Sequence, residues 1–258
     1  MDKNIPSDQF LAETRYCDVN NPLIKKAAAE ITKLSSTSEN KMADLFNYVR
    51  DNILFRFGYW GKKASQILRE QAGMCTNSAN LLIALARASN IPAGYGIARV
   101  NSREFFRGII LPSLLSDVSD RSVHIYPYIY LNHQWIQCDP SIDTPLAQQA
   151  QHLSPIMKAL DWDPQNPQLI ETAPGSVLKN EGPLANIDSR LDKKAKHARG
   201  IPLKVANLYL LFLREKGRQI KNYSELEPQF LKWLKKKNPL YFFLLTAHNR
   251  IKHVPKSK

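Results

Sequence analysis

The amino-acid sequence predicts an α+β protein in which helices pack on an antiparallel sheet, followed by a helical, basic C-terminal extension. Apolar residues recur at helical spacing in the N-terminal region, and a helix predicted over 76–89 is apolar on nearly all of its sides. Strand-like runs follow, with a hairpin signal at Asn132-His133. The positive charge excess lies entirely at the C-terminal end. The 258 residues suffice for one core, or for a core with an appendage.

The helices of the core are predicted from apolar residues that recur every three or four positions. They span 22–34, 39–55 and 76–89. Pro22 suits the first helical position, because its missing N–H would have no partner there. Between the second and third helices, Gly58 and Gly61 bracket aromatic residues that no helical period explains, so we predict a loop. The helix over 76–89 carries a single charged residue, Arg87, and should be central.

The predicted strands follow this central helix. They span 93–100, 122–131 and 134–139. Asn132-His133 lies between the last two and predicts a two-residue hairpin turn. The connection over 101–122 contains an apolar cluster between 105 and 115 and is long for a plain turn.

The rest of the chain is predicted to be a linker and further helices. Five prolines between 152 and 183 break any long element, and helical patterns return over 203–216, 224–237 and 240–251. We therefore divide the chain into a core over 1–150, a Pro-rich linker over 151–190 and a basic helical extension over 191–258.

The charge of the chain belongs to this extension. Residues 1–190 hold 19 basic and 19 acidic side chains, whereas 191–258 hold 17 basic and 4 acidic ones, so the extension carries the whole net charge of +13. A neutral body with one basic end indicates an acidic partner. The aromatic residues of the extension have a helical spacing that suits packing better than base stacking, so we do not expect nucleic acid.

The cysteines and the apolar runs indicate the compartment. The chain has three cysteines, an odd number, and they are widely spaced: Cys17, Cys75 and Cys138. We therefore expect neither a disulfide framework nor a metal site, and we expect no cofactor. The start of the chain lacks a signal-peptide pattern, and the apolar runs fall short of a transmembrane segment. We expect a cytoplasmic protein.

Three side chains form a candidate catalytic site. Cys75 opens the central helix, where the helix dipole favours a thiolate and the backbone N–H can donate to an oxyanion. If the hairpin turn is Asn132-His133, His124 lies diagonal to Asp139 on one face of the sheet, within reach of the two side chains. Cys138 points the other way. This supplies a nucleophile, a base and an orienting carboxylate.

The same residues resemble the bacterial transglutaminase-like superfamily. The likeness is carried by the block over 64–92, which includes Gly73-Met74-Cys75 and Ile91-Pro92, by the His124 strand, and by the block over 134–141 with Trp135 and Asp139-Pro140. It covers about residues 11–145. The resemblance implies a papain-like core with Cys75 as nucleophile, His124 as base and Asp139 as orienting residue.

The resemblance also implies acyl transfer through a thioester on Cys75. The acceptor is an amine, giving an amide, or water, and a carrier-bound thioester is one candidate donor. An acidic carrier protein bound through 191–258 would fit the basic extension, and the apolar insert over 105–115 would suit an acyl chain. The alternatives are a cysteine protease or amidase, and a non-enzymatic binding module that uses the extension.

Four other side chains are weaker candidates. Tyr59 and Trp60 precede the Cys75 turn and could line the cleft or donate to the oxyanion, although packing fits them better. Trp135 fits a structural wall better than a substrate contact. Asp143 is an alternative orienting carboxylate, but it lies further from the hairpin.

Overall fold

The computed structural model describes residues 7–170, 173–194 and 200–252. The α-helices of these ranges are α1 (Pro22–Ile31), α2 (Ser38–Asn52), α3 (Ala64–Glu70), α4 (Cys75–Ala88), α5 (Ser102–Phe105), α6 (Thr144–Ala150), α7 (Asp188–Lys194), α8 (Ile201–Lys216), α9 (Leu226–Lys237) and α10 (Pro239–Lys252). The strands are β1 (Leu54–Phe55), β2 (Ala72–Gly73), β3 (Ala93–Asn101), β4 (Arg121–Leu131), β5 (Gln134–Gln137) and β6 (Val177–Leu184). Helices with an antiparallel sheet and a helical C-terminal region confirm the predicted fold class.

The main sheet has four antiparallel strands in the order β5-β4-β3-β6. The β4–β5 hairpin pairs Leu131 with Gln134, so its turn is the predicted Asn132-His133. Both turn residues have positive φ, 51° and 63°, as a tight turn that matches the strand twist requires. The hairpin therefore has the register from which the positions of His124 and Asp139 were derived.

Helix α4 is the centre of the core. It contacts α1, α2 and α3 on its outer sides and β3 and β4 on the other. Its residues from Cys75 to Arg87 are all buried. Buried Arg87 is satisfied by donating to the backbone carbonyls of Ala12, Ala93 and Ala185. The prediction of a central helix is confirmed.

The segment predicted as a Pro-rich linker contributes a strand to the sheet. Residues 177–184 form β6, which pairs with β3 at the sheet edge; Ala98, for example, lies opposite Asn180. This strand has mostly exposed residues and contains Pro183, so it lacks the apolar alternation that would predict it. An edge strand tolerates proline, because one side of its backbone needs no partner strand.

Two hydrophobic clusters cover the opposite faces of the sheet. The cluster on the α4 face contains Ile97, Ile125 and Ile129. The cluster on the other face contains Val100 and Tyr126, together with the connection after β3, α6 and the C-terminal helices. The extension is thus packed on the core through shared apolar contacts, for example between α6 and α8.

A buried ion pair also joins the extension to the core. Asp143 is fully buried at the start of α6, and its carboxylate accepts hydrogen bonds from the backbone N–H groups of Phe55 and Leu146. Arg214 of α8 donates to the same carboxylate and also to the carbonyl of Phe55. A second link is the Asn207 amide, which exchanges two hydrogen bonds with the backbone of Phe57.

We expect Arg214→Met to lower the free energy of unfolding by about 3–5 kcal/mol, because it leaves the Asp143 carboxylate buried without its cation. The Arg214 side chain is 17% exposed and that of Asp143 is 0% exposed, so solvent does not compensate. Urea unfolding at neutral pH measures the change.

The matched control is Lys216→Met, which removes one exposed positive charge from the same helix and should change the stability by less than about 0.5 kcal/mol. The double variant Asp143→Asn, Arg214→Met should be less destabilised than the sum of its parts. Equal, small effects of Arg214→Met and Lys216→Met would contradict this account of the interface.

Candidate active site

A tight turn places Cys75 at the start of α4. Gly73 ends β2, and a Cβ atom added to it would lie 2.5 Å from the Cβ of Asn77, so this position requires glycine. The Asn77 amide accepts a hydrogen bond from the Met74 N–H (2.9 Å) and donates to the carbonyl of Trp60 (2.9 Å). Asn77 therefore holds the turn before Cys75 and ties it to the preceding loop.

His124 and Asp139 lie together beside this helix end. The Nε2 atom of His124 on β4 and the Oδ2 atom of Asp139 after β5 are 2.6 Å apart, in hydrogen-bond contact. Because the Nε2 atom is engaged by the carboxylate, Nδ1 is the ring nitrogen left to exchange a proton with Cys75. The Cys75 and His124 side chains are near enough for each to shift the pKa of the other. The structure thus brings the three predicted side chains into one series.

Ser141 fixes the Asp139 carboxylate from its other side. Both the N–H (3.1 Å) and the hydroxyl of Ser141 donate to Oδ1 of Asp139. This is an Asx-turn, in which an aspartate side chain bonds to the backbone two residues later. Our sequence reasoning missed Ser141, although the Asp-Pro-Ser order contains the signal. With one oxygen held by Ser141, the other faces His124.

The site has very little contact with solvent. Cys75 is 6% exposed, His124 4% and Asp139 1%. The ring of Phe105, from the connection after β3, lies 5.1 Å from the His124 ring, and the ring of Tyr126 lies 6.1 Å from it. Water is therefore largely excluded, and any charge in the site depends on its neighbours.

The electrostatics favour a thiolate and an imidazolium. Burial raises the pKa of the Cys75 thiol, but the charge and hydrogen bond of His124 and the N–H of Ile125 outweigh it and lower this pKa below its ordinary value. Burial lowers the pKa of His124, but the Asp139 carboxylate and the Cys75 thiolate raise it to about 10. Both shifts favour a proton on His124 and a thiolate on Cys75.

The other cysteines lack this activation. Burial raises the pKa of Cys17 to about 11 and that of Cys138 well above its ordinary range. Both are fully buried in the cluster on the α4 face of the sheet. They pack as small apolar residues.

Three of the remaining candidates have structural roles, whereas Tyr59 is 39% exposed and lines a pocket. Asp143 is bonded to backbone N–H groups and to Arg214, as described above, rather than to His124. Trp135 packs against Phe10 and Tyr130 on the sheet surface, with ring centroids 4.7 and 5.3 Å away. The carbonyl of Trp60 supports the Cys75 turn through Asn77.

Neither a membrane span nor a metal cluster is found in the described ranges. No helix there is both long and apolar enough to cross a bilayer. No three His, Cys, Asp or Glu side chains of residues 7–170, 173–194 and 200–252 are grouped so that they could hold a metal ion.

A cysteine at the start of a buried helix, with a histidine and an aspartate on the neighbouring hairpin, defines the class of papain-like, cysteine-dependent enzymes. Residues 25–140 match the family model of the transglutaminase-like superfamily. This part of the chain is therefore similar to members of that superfamily. A search of curated proteins gives no match.

Two solved structures match part of this chain. One, described as a "Putative Cysteine Protease" from Cytophaga hutchinsonii, is 22% identical over 55% of this chain and 45% of its own, with a TM-score of 0.43. The other, described as a "Putative Protease" from Parabacteroides distasonis, is 13% identical over 52% of this chain and 26% of its own, with a TM-score of 0.33. The chain thus spans less than half the length of either structure.

We expect iodoacetamide to alkylate Cys75 with a pH profile whose midpoint lies below about 8.5, the value of an ordinary cysteine. Iodoacetamide reacts with the thiolate form of cysteine, and His124 lowers the pKa of the Cys75 thiol. The rate at each pH is measured by mass spectrometry of the Cys75 peptide.

In His124→Ala, burial acts without the opposing cation, so the midpoint should move above that of an ordinary cysteine. Cys17 and Cys138 are internal controls and should stay unlabelled in the folded protein. A midpoint that does not change between the wild type and His124→Ala would refute the ion pair.

Proposed function

We propose that this chain is a transglutaminase-like cysteine acyltransferase, which forms a thioester on Cys75 and passes the acyl group to an amine or to water. The observation that carries the proposal is the hydrogen-bonded pair of His124 and Asp139, together with the pKa of Cys75 that His124 lowers, in a site with little solvent. In this proposal Cys75 is the nucleophile, His124 the acid and base, and Asp139 the group that orients and stabilises the imidazolium.

Acylation begins when the Cys75 thiolate attacks the carbonyl carbon of an amide or thioester donor. A C–S bond forms and the carbonyl oxygen becomes an oxyanion. The backbone N–H of Cys75, in the first turn of α4, supports this charge, because N–H groups there have no partner within the helix. The bond to the leaving group then breaks, and the departing amine or thiolate takes the proton from His124.

The acyl group leaves by the reverse path. An amine attacks the thioester while His124 takes its proton, an amide forms, and the C–S bond breaks to restore the thiolate. Water in the same role gives an acid. The low exposure of all three side chains supports transfer to an amine, because the thioester must be kept from water until the amine arrives.

Delivery of the donor by an acidic carrier protein remains a proposal based on charge. The exposed lysines Lys235, Lys236 and Lys237 end α9 and offer an electrostatic contact. The apolar insert expected to suit an acyl chain is instead packed in the protein, since Phe105, Ile109 and Leu111 are buried in the cluster beside the C-terminal helices. The insert therefore supports the fold and covers His124.

We expect octanoyl-N-acetylcysteamine, a simple acyl thioester, to add one octanoyl group to Cys75, detected by mass spectrometry. Benzylamine should then remove the adduct and yield one N-octanoylbenzylamine per enzyme. Asp139→Asn should slow the acylation by about 10³–10⁴-fold, because His124 loses its orienting carboxylate.

The controls use the other cysteines and the choice of acceptor. Cys75→Ala should form no adduct, and Cys138→Ser should form it if the variant is folded. An adduct that persists in Cys75→Ala would contradict the mechanism. Release of octanoic acid alone, at a rate unaffected by benzylamine, would favour the amidase or protease alternative. No adduct with a thioester or an amide donor would favour the binding module.

A further inference from the structure

A continuous groove runs between the core and α8 and ends at the turn that carries Cys75. Its wide part has a volume of about 700 Å³ and its narrow part about 380 Å³. The two parts share the lining residues Arg56, Glu70, Ala72, Lys204 and Asn207. Gly73 and Asn77, which flank Met74-Cys75, line the narrow part. Each of the two volumes is within the range of small-molecule sites.

The wide part of the groove is apolar. Leu54 and Leu211 lie on its two sides and are 40% and 44% exposed, although they are large hydrophobic side chains. Leu208, Leu210 and Tyr241 add further apolar surface, and Gln71 and Arg214 are among the polar residues that also line this part. An apolar chain that filled this part would remove exposed hydrocarbon from water, which is favourable.

Two cations without carboxylate partners mark the point where the wide and narrow parts meet. Arg56 projects from the core side and Lys204 from α8, and both line both parts. Among the described residues, neither has an ion pair, whereas Lys62 is paired with Glu70 and Arg214 with Asp143. The Lys204 ammonium lies 5.9 Å from the Tyr241 ring centroid, at the apolar end. The positive charges of Arg56 and Lys204 favour a ligand with an anionic group next to an apolar chain.

We propose that this groove binds a single-chain amphipathic anion, with its apolar chain in the wide part and its carboxylate or phosphate group between Arg56 and Lys204. The narrow part reaches the turn that carries Cys75, so we assign the bound amphiphile as part of the acyl donor. This assignment rests on the proposed function. The ligand is an amphiphile free in solution, since the groove lies between the core and α8 and would receive a single chain.

The test is isothermal titration calorimetry of the full chain with laurate, a twelve-carbon carboxylate, below its micellar concentration. Laurate has no leaving group, so its binding does not depend on the proposed chemistry. We expect saturable one-to-one binding. Arg56→Gln with Lys204→Gln should raise the Kd by about tenfold or more, because two charge-assisted contacts are lost. Dodecanol should bind more weakly than laurate.

The matched control is Arg69→Gln with Lys33→Gln, which removes the same charge from exposed positions outside the groove and should leave the Kd within about twofold. Equal weakening in both double variants, or no saturable binding of laurate, would overturn the proposal. So would binding to phosphatidylglycerol vesicles without binding of laurate. If laurate binds as expected but Cys75 is never acylated, the groove assignment stands and the proposed function fails.

Discussion

The site depends on three charges that are stable only in each other's presence. A thiolate, an imidazolium and a carboxylate lie in surroundings where each residue is at most 6% exposed. Burial by itself would neutralise each group, since an isolated charge in such a medium is costly. Contact with the two opposite charges raises the pKa of His124, and contact with His124 lowers the pKa of Cys75. Thus the geometry that stabilises the buried charges also prepares the nucleophile.

The C-terminal extension completes this arrangement structurally. The loop that carries Asp139 continues into Asp143, which is held by Arg214 of α8, and the loop before Cys75 is held at Phe57 by Asn207 of the same helix. One helix of the extension therefore supports the chain on both sides of the site. Not all basic residues of the extension are free to contact an external partner. Arg214 neutralises the buried carboxylate of Asp143, and Lys204 lines the groove.

Local patterns were sufficient to predict what is local in this structure. The hairpin register followed from a two-residue turn whose residues, Asn132 and His133, both adopt positive φ, and the position of Cys75 followed from the start of an apolar helix. The edge strand β6 escaped prediction because its exposed residues and Pro183 carry no strand alternation. The Asp143–Arg214 pair could not be predicted, since its members are 71 residues apart and only the packing of α8 brings them together. The groove depends on the same packing.

The central claim is that His124 holds the proton in the resting site. It is tested most directly by a pH titration of the ring nitrogens of His124 by ¹H–¹⁵N NMR. The account predicts an imidazolium at pH 8 with a midpoint at about 10, and a lower midpoint in Cys75→Ala, where the thiolate no longer stabilises the cation. A midpoint near about 6.5, as for an ordinary histidine, that is the same in Cys75→Ala would contradict it.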